Sequence, residues 1–394
     1  MSPPVSLPAE DRGGPVQPLL IVRELKKHFP AKGGFWSFSR DMVQAVDGVS
    51  FHVAKGQTLG VVGESGCGKS TTARLLLHLI EPDAGEIIFD GEGIGASDGI
   101  SVRESRLHMQ MVFQDSYSSL NPRATIADII AFGPRTAKKV PAKQAHQRAE
   151  GLLDQVGLRP SLFARRYPHE LSGGQRQRVN IARALALEPR LLILDEAVSA
   201  LDKSVEAQIL NLLADLRRDL GLTYLFISHD LNVVRHVSDR VVVMYLGRIV
   251  ESGEVGAIFR RPSHPYTQAL LRAMPSMDPD RRTAASPLTG DPPNPINPPS
   301  GCRFRTRCIF AEEICARASP PLDDIAGGHQ VACHMMVPGS GHSRERQQEP
   351  QPEPGSPGPL PSAVNVDRQL SRSSHAVHPQ LLRCGSGRRG ARSS

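Results

Sequence analysis

Short apolar runs recur through the first two thirds of the chain, and glycines or acids break them. Residues 57–62 read as a buried strand ending at a glycine-rich turn, and residues 71–80 as the helix that follows. Residues 191–194 and 224–227 are unbroken apolar runs, the pattern of parallel strands covered on both faces. Between Tyr117 and Tyr167 the period changes. There Ala145, Ala149, Leu152, Leu153 and Val156 fall on one stripe at helical spacing, which predicts a mainly helical insertion in an α/β domain. No internal repeat interrupts this order.

The flanks are different. Residues 1–18 are rich in proline and glycine and are expected to be disordered. Residues 262–338 are proline-rich and loop-like but hold four of the six cysteines, which suggests a small appended domain. Residues 339–394 are low-complexity Ser, Pro, Arg and Gly, for which no structure is expected. The α/β domain therefore occupies residues 19–261, with its helical part at about 115–175.

Composition narrows the class. Of 394 residues, 39% are hydrophobic and 22% charged, an ordinary soluble balance with room for one large domain and appendages. The net charge of +7 points to no nucleic-acid partner, because residues 340–394 alone hold eight Arg against four Asp and Glu. The longest apolar stretches, such as 241–246, fall far short of the roughly 18–20 residues that span a bilayer. No basic segment followed by an apolar one opens the chain, so a cytosolic protein is expected, meeting membranes only through partners.

Gly63-Glu64-Ser65-Gly66-Cys67-Gly68-Lys69-Ser70 matches G-x-x-x-x-G-K-[ST] between a predicted strand and a predicted helix, and Thr71 continues onto that helix. Glycines there let backbone N–H groups turn inward around phosphates, and the helix N-terminus adds a favourable dipole. Lys69 is placed to neutralise β- and γ-phosphate charge, and Ser70 to offer its hydroxyl to Mg²⁺. Cys67 reads as a small filler in the loop. In a second motif, the apolar residues 191–194 end in Asp195 and Glu196. Asp195 would emerge at the strand's carboxyl end and hold Mg²⁺, with Glu196 one residue further on to polarise an attacking water.

A third motif narrows the class further. Leu171-Ser172-Gly173-Gly174-Gln175 opens a predicted helix from Gln175 to about Leu187, a second anion-binding terminus in one chain. It resembles the Leu-Ser-Gly-Gly-Gln motif of ATP-binding-cassette (ABC) ATPases. The resemblance implies a P-loop NTPase core with a helical subdomain, binding ATP and Mg²⁺. It also implies that Ser172 and Gly174 serve the nucleotide of a head-to-tail partner. Gln114 resembles the glutamine that senses Mg²⁺ and water, and Asp202 belongs to a stretch, Ser199-Ala200-Leu201-Asp202, similar to the loop that crosses between the two sites. His229 resembles the histidine that contacts the γ-phosphate, and Phe29 the aromatic that stacks on adenine. Two positions depart from the family: Ala197 stands where proline is usual, and Lys203 where an apolar residue is usual.

Within the family, Gln114-Asp115-Ser116-Tyr117-Ser118-Ser119-Leu120-Asn121-Pro122, Arg166-Tyr167-Pro168-His169-Glu170, Met244-Tyr245-Leu246-Gly247 and the stretch opening His264-Pro265-Tyr266 resemble ATPases of dipeptide and oligopeptide importers, the F subunit in particular. That resemblance implies a second ATPase subunit, two transmembrane permeases, an extracytoplasmic solute-binding protein, and a place on the cytoplasmic face of the bacterial inner membrane. Nickel, glutathione and other small-solute importers use similar ATPases. An ABC ATPase acting on DNA is disfavoured, because only about 57 residues separate Gln114 from Ser172, too few for a long coiled coil. A translation-associated protein would carry two cassettes.

Cys302, Cys308, Cys315 and Cys333 are separated by five, six and seventeen residues. Four thiolates suit a tetrahedral Zn²⁺ or one ligand to each iron of a [4Fe–4S] cluster, and four free thiols are the plain alternative. The importer resemblance implies the iron–sulfur cluster.

Overall fold

The computed structural model describes residues 17–31, 41–274 and 293–345. The expected disorder of residues 1–18 and 339–394 falls mostly outside them. The first element is a small antiparallel sheet of β1 (Leu20–Pro30), β2 (Met42–Val53), β4 (Ala84–Phe89) and β5 (Glu92–Gly93), ordered β2-β1-β4-β5. Behind it runs a larger sheet whose centre is parallel. Strands β3 (Thr58–Val62), β6 (Met109–Val112), β7 (Leu191–Asp195), β8 (Thr223–Ile227) and β9 (Arg240–Tyr245) lie in the order β9-β3-β8-β7-β6.

The unbroken apolar runs follow from cover on both faces. Along β7, Leu192 and Leu194 enter one core while Leu191 and Ile193 enter the other; along β8, Tyr224 and Phe226 part from Leu225 and Ile227 in the same way. One core is closed by the small sheet and by α1 (Lys69–Leu76). The other is closed by α7 (Lys203–Leu220), α8 (Leu231–Val237) and the helical insertion. Each fully buried Leu, Ile or Phe contributes about 1.5–3 kcal/mol, so a charge on either face of β7 or β8 would be costly.

α2 (Val102–His108) leads into β6. The insertion then comprises α3 (Ile126–Ala137), α4 (Ala142–Gln155), the short α5 (Pro160–Phe163) and α6 (Gly173–Leu185), with α3, α4 and α6 packed together. The predicted stripe of α4 is its buried face. Helix α1 is shorter than the pattern predicts, since His78 adopts φ 50° and its N–H bonds back to Leu75, which ends the helical path. Among the described residues no helix is long and apolar enough to cross a membrane.

After β10 (Arg248–Glu254), α9 (Val255–Arg260) and α10 (Pro265–Arg272), residues 293–345 return to the large sheet. They add α11 (Glu313–Arg317), β11 (Asp323–Ala326) and β12 (His329–Val331), and β12 pairs with β10 through Ser252 and Gln330. The described chain continues past 338. The buried His342 ring hydrogen-bonds the Phe310 carbonyl, and Ser343 donates to Glu312.

One buried carboxylate joins these pieces. Glu251 on β10 accepts N–H groups from Ser263 at 2.7 Å and His264 at 3.1 Å, and the Nε2–H of His329 on β12 at 2.7 Å. Burial pushes the His264 imidazole down to about 4, so its neutral Nδ1 accepts the Tyr266 N–H and starts α10. Glu251→Ala strands all three donors and is expected to cost about 3–5 kcal/mol, read by chemical denaturation, with Glu251→Gln losing less.

Candidate active site

Strands β6, β7, β8 and β3 are neighbours and parallel, so their carboxyl ends share one edge, where open α/β sheets bind ligands. Each delivers one predicted group. β3 runs into Gly63, β7 ends on Asp195, β8 leads to His229, and β6 leads to Gln114. Between them lies a cavity of about 470 Å³, lined on the loop side by Ser65, Gly66, Gly68, Lys69, Ser70 and Thr71. Gln114, Glu196 and His229 line the opposite side.

The loop is built to present donors. α1 starts with no side-chain cap, leaving its first N–H groups free for an anion. Gly68, before it, sits at φ 106°, and a Cβ there would lie 2.2 Å from the Ala45 carbonyl oxygen. The buried Lys69 ammonium donates to the carbonyls of Gly63 at 2.8 Å and Glu64 at 3.0 Å. Burial pushes the Cys67 thiol up, against the pull of Lys69, so Cys67 is a protonated filler.

On the opposite side, the Ser70 hydroxyl donates to Asp195 at 2.9 Å. Burial pushes the Asp195 carboxyl above its usual range, with the Ser70 hydrogen bond opposing and the Glu196 charge adding to the rise. A hydroxyl and a desolvated carboxylate held together in this way are a fitting donor pair for Mg²⁺. Glu196 is held at φ 48°, a left-handed conformation that costs a non-glycine residue about 1–3 kcal/mol and collects at functional sites. Its Oε2 accepts the Gln114 amide at 2.8 Å and lies 3.4 Å from His229 Nδ1.

Gln114 is placed from behind. Asp115 turns the chain by accepting the N–H groups of Tyr117 and Ser118, and Asn180 on α6 donates to the Ser116 carbonyl. Ser172 and Gln175 cap α6 reciprocally, side chain to backbone, at 3.3 and 3.1 Å. A Cβ on Gly174 would lie 2.5 Å from Val205, so this helix start packs directly on α7, which Asp202 caps through the Val205 N–H. Ser172, Gly173, Gly174, Gln175 and Asp202 do not line the cavity. Lys203 bridges Glu206 and Asp230, each at 3.0 Å, tying the start of α7 to the loop of His229, and Ala197 is buried.

Three wall residues escaped the sequence: Val43, Ala45 and Pro295. Phe29 is not among them. It pairs with Val43 across β1 and β2, one strand further from the cavity. Glu64 also turns away, its carboxylate held by Arg307.

Cys302, Cys308, Cys315 and Cys333 are free thiols; Cys384 lies outside the described residues. Burial pushes Cys302 to about 11 and Cys333 to about 12, with backbone hydrogen bonds opposing and the charges of neighbouring cysteines adding to the rise. The four thus lie within electrostatic reach of one another. Among the described residues no three His, Cys, Asp or Glu side chains are arranged to hold a single metal ion.

Comparison with known proteins adds the following. The family model described as ABC transporter matches residues 46–199, and that of the oligopeptide/dipeptide transporter C-terminal region matches residues 250–315. The probable peptide ABC transporter ATP-binding protein y4tS of Sinorhizobium fredii is 52% identical over 81% of this chain and 90% of its own. The oligopeptide transport ATP-binding protein AppF of Bacillus subtilis is 49% identical over 80% of this chain and 97% of its own. Among solved structures, the post-hydrolysis dimer of the ATP-binding cassette MJ0796, bound to ADP and Pi, aligns at TM-score 0.53 and 26% identity. It covers 60% of this chain and 98% of that one.

Gly68→Ala tests the loop geometry. The new methyl would force Ala45 or the loop to move at a positive φ, so a loss of about 1–3 kcal/mol is expected in thermal unfolding, together with collapse of nucleotide binding in a titration.

Proposed function

The chain belongs to the ATP-binding subunits of ABC transporters, with the C-terminal region of the oligopeptide/dipeptide type, and we propose that it powers uptake of di- or oligopeptides. It is an ATPase. The observation that carries the peptide reading is that relatives named for peptide transport match it over 90% and 97% of their own length, the C-terminal region included.

Within that reading, the loop from Gly63 to Thr71 binds the phosphates, with Lys69 and the free N–H groups of α1 countering their charge. Ser70 and Asp195 would hold Mg²⁺, which would supply positive charge against the phosphates. Glu196 takes the proton of the attacking water. Gln114 orients that carboxylate by donating to Oε2, and His229, on the same oxygen, faces the γ-phosphate. The base is offered the apolar surface of Val43, Ala45 and Pro295, with Phe29 beside Val43.

Ser172, Gly173, Gly174, Gln175 and Asp202 stand outside their own chain's cavity, which supports a role at the nucleotide of a second ATPase subunit. The assembly comprises that subunit, two membrane permeases and an extracytoplasmic solute-binding protein, with this chain on the cytoplasmic face. The four cysteines hold a [4Fe–4S] cluster. Support comes from four thiols gathered in one segment, near enough for each to feel the charge of others.

In the assembled transporter, Glu196→Gln is expected to retain ATP and to release phosphate about 10²–10⁴-fold more slowly at its own site. Wild-type phosphate release there would refute the role of Glu196. Transport of nickel or glutathione by the reconstituted complex, without transport of labelled peptides, would replace the cargo. Anaerobically purified protein is expected to contain iron and sulfide and to lose both in Cys308→Ser; colourless protein without iron would end the cluster reading.

A further inference from the structure

Glu64 presents a problem of charge. It is the second residue of a loop that receives a polyphosphate, and a free carboxylate there would repel the ligand the loop is built for. Its backbone and side chain both point elsewhere. The Glu64 N–H donates to the Tyr266 hydroxyl at 2.9 Å. Its two carboxylate oxygens accept Nη1 and Nη2 of Arg307 at 2.7 and 3.0 Å, a two-pronged contact between residues 243 apart in sequence.

Both partners are rigidly set. Tyr266 is fully buried and packs on Tyr245 and Phe304, with ring centres 4.6 and 5.4 Å away. The Arg307 side chain is only 5% exposed, and its guanidinium lies over the Tyr245 ring. Nearby, the same C-terminal segment supplies Pro295 to the cavity wall and sends Arg303 to Gln44, Asp47 and the Leu246 carbonyl. Glu64 is absent from the cavity lining, whereas Ser65 and Gly66 are part of it.

We infer that Arg307 is a positioning residue for the ATP site: it neutralises Glu64 and draws it out of the phosphate loop, leaving the loop as a cradle of donors. This rests on the reading of residues 63–70 as the phosphate cradle. A mere staple for the C-terminal segment would be different. Its loss would lower the melting temperature and leave the affinity of the folded protein for ATP unchanged.

The test is calorimetric titration of the full-length chain with ATP and Mg²⁺, alongside thermal unfolding without nucleotide. Arg307→Met is expected to raise Kd for ATP about 10- to 100-fold, the equivalent of one or two lost charge-assisted hydrogen bonds. Arg307→Lys, which keeps the charge but not the fork, is expected in between. Adding Glu64→Gln to either variant removes the repelling charge and is expected to recover most of the lost affinity. Wild-type affinity in Arg307→Met, or a loss that Glu64→Gln does not relieve, would overturn the inference. If Arg307→Met does not fold, Arg307→Lys with and without Glu64→Gln decides by the same two criteria. Lys69→Ala separates the premise from the inference: undiminished ATP binding there would refute the phosphate cradle itself.

Discussion

A polyphosphate can be held by backbone N–H groups only where the chain turns tightly and nothing else satisfies them, and much of the architecture enforces that turn. The loop after β3 is pressed between two other segments. The Met244 carbonyl of β9 lies where a Cβ on Gly63 would go, and the Ala45 carbonyl of β2 where a Cβ on Gly68 would go. The Gly247 N–H bonds the Cys67 carbonyl, and the Gly247 carbonyl accepts from Asp47, so the turn between β9 and β10 is wedged between loop and small sheet. Close approach on both sides excludes side chains and leaves the amides facing the cavity. The small sheet is thus a second wall for the loop as well as cover for a core.

Charge in the site is deliberately incomplete. Asp195 and Glu196 are adjacent acids, and Asp195 is desolvated with a single hydroxyl as its partner. Across from them Lys69 is buried against carbonyl oxygens. Lys69 and Arg74 offset part of the Asp195 desolvation, but Lys69 bonds carbonyls and no carboxylate, so each side keeps unmet charge at a cost that burial raises. A ligand bringing both a polyanion and a divalent cation relieves both at once, which is a physical reason for ATP and Mg²⁺ to bind together. Glu196 is different: its unfavourable backbone conformation is held by the Ile227 carbonyl, which accepts its N–H. The strain fixes the carboxylate where Gln114 and His229 can both reach it.

What could be read in advance was local. The loop, the pair Asp195–Glu196 and the start of α6 each lie within a few residues, where spacing alone implies geometry. The strands announced themselves because cover on both faces leaves no polar position. Contacts between distant residues gave no such signal. Pro295 reaches the cavity from beyond residue 292, and Arg307 reaches Glu64 across 243 residues. Phe29 fits the expectation of an aromatic near the base by its place on β1, but pairing puts Val43 between it and the cavity. Similarly, β12 is three residues long and carries no periodicity, so its addition to the large sheet is visible only in its pairing with β10. Spacing gives Lys203 no role either, yet its ion pair with Asp230 ties the start of α7 to the loop of His229.

The C-terminal segment shows why these distant contacts matter. Its own apolar centre is small, with Val331, Cys333 and Met335 buried and little more packed around them. A core of that size does not offset the conformational entropy of some fifty residues. The segment must therefore draw its stability from the main domain. It does so through Phe304, buried in the main core against Tyr245 and Tyr266, and through three polar anchors: His329 on Glu251, Arg303 on Asp47, Arg307 on Glu64. Two of the three lie on elements that also shape the ATP cavity, β2 and the phosphate loop. Coupling of that kind is reciprocal. Whatever tightens the segment steadies the loop, and a ligand that steadies the loop tightens the segment. The appendage and the proposed ATP site then share one free energy of ordering.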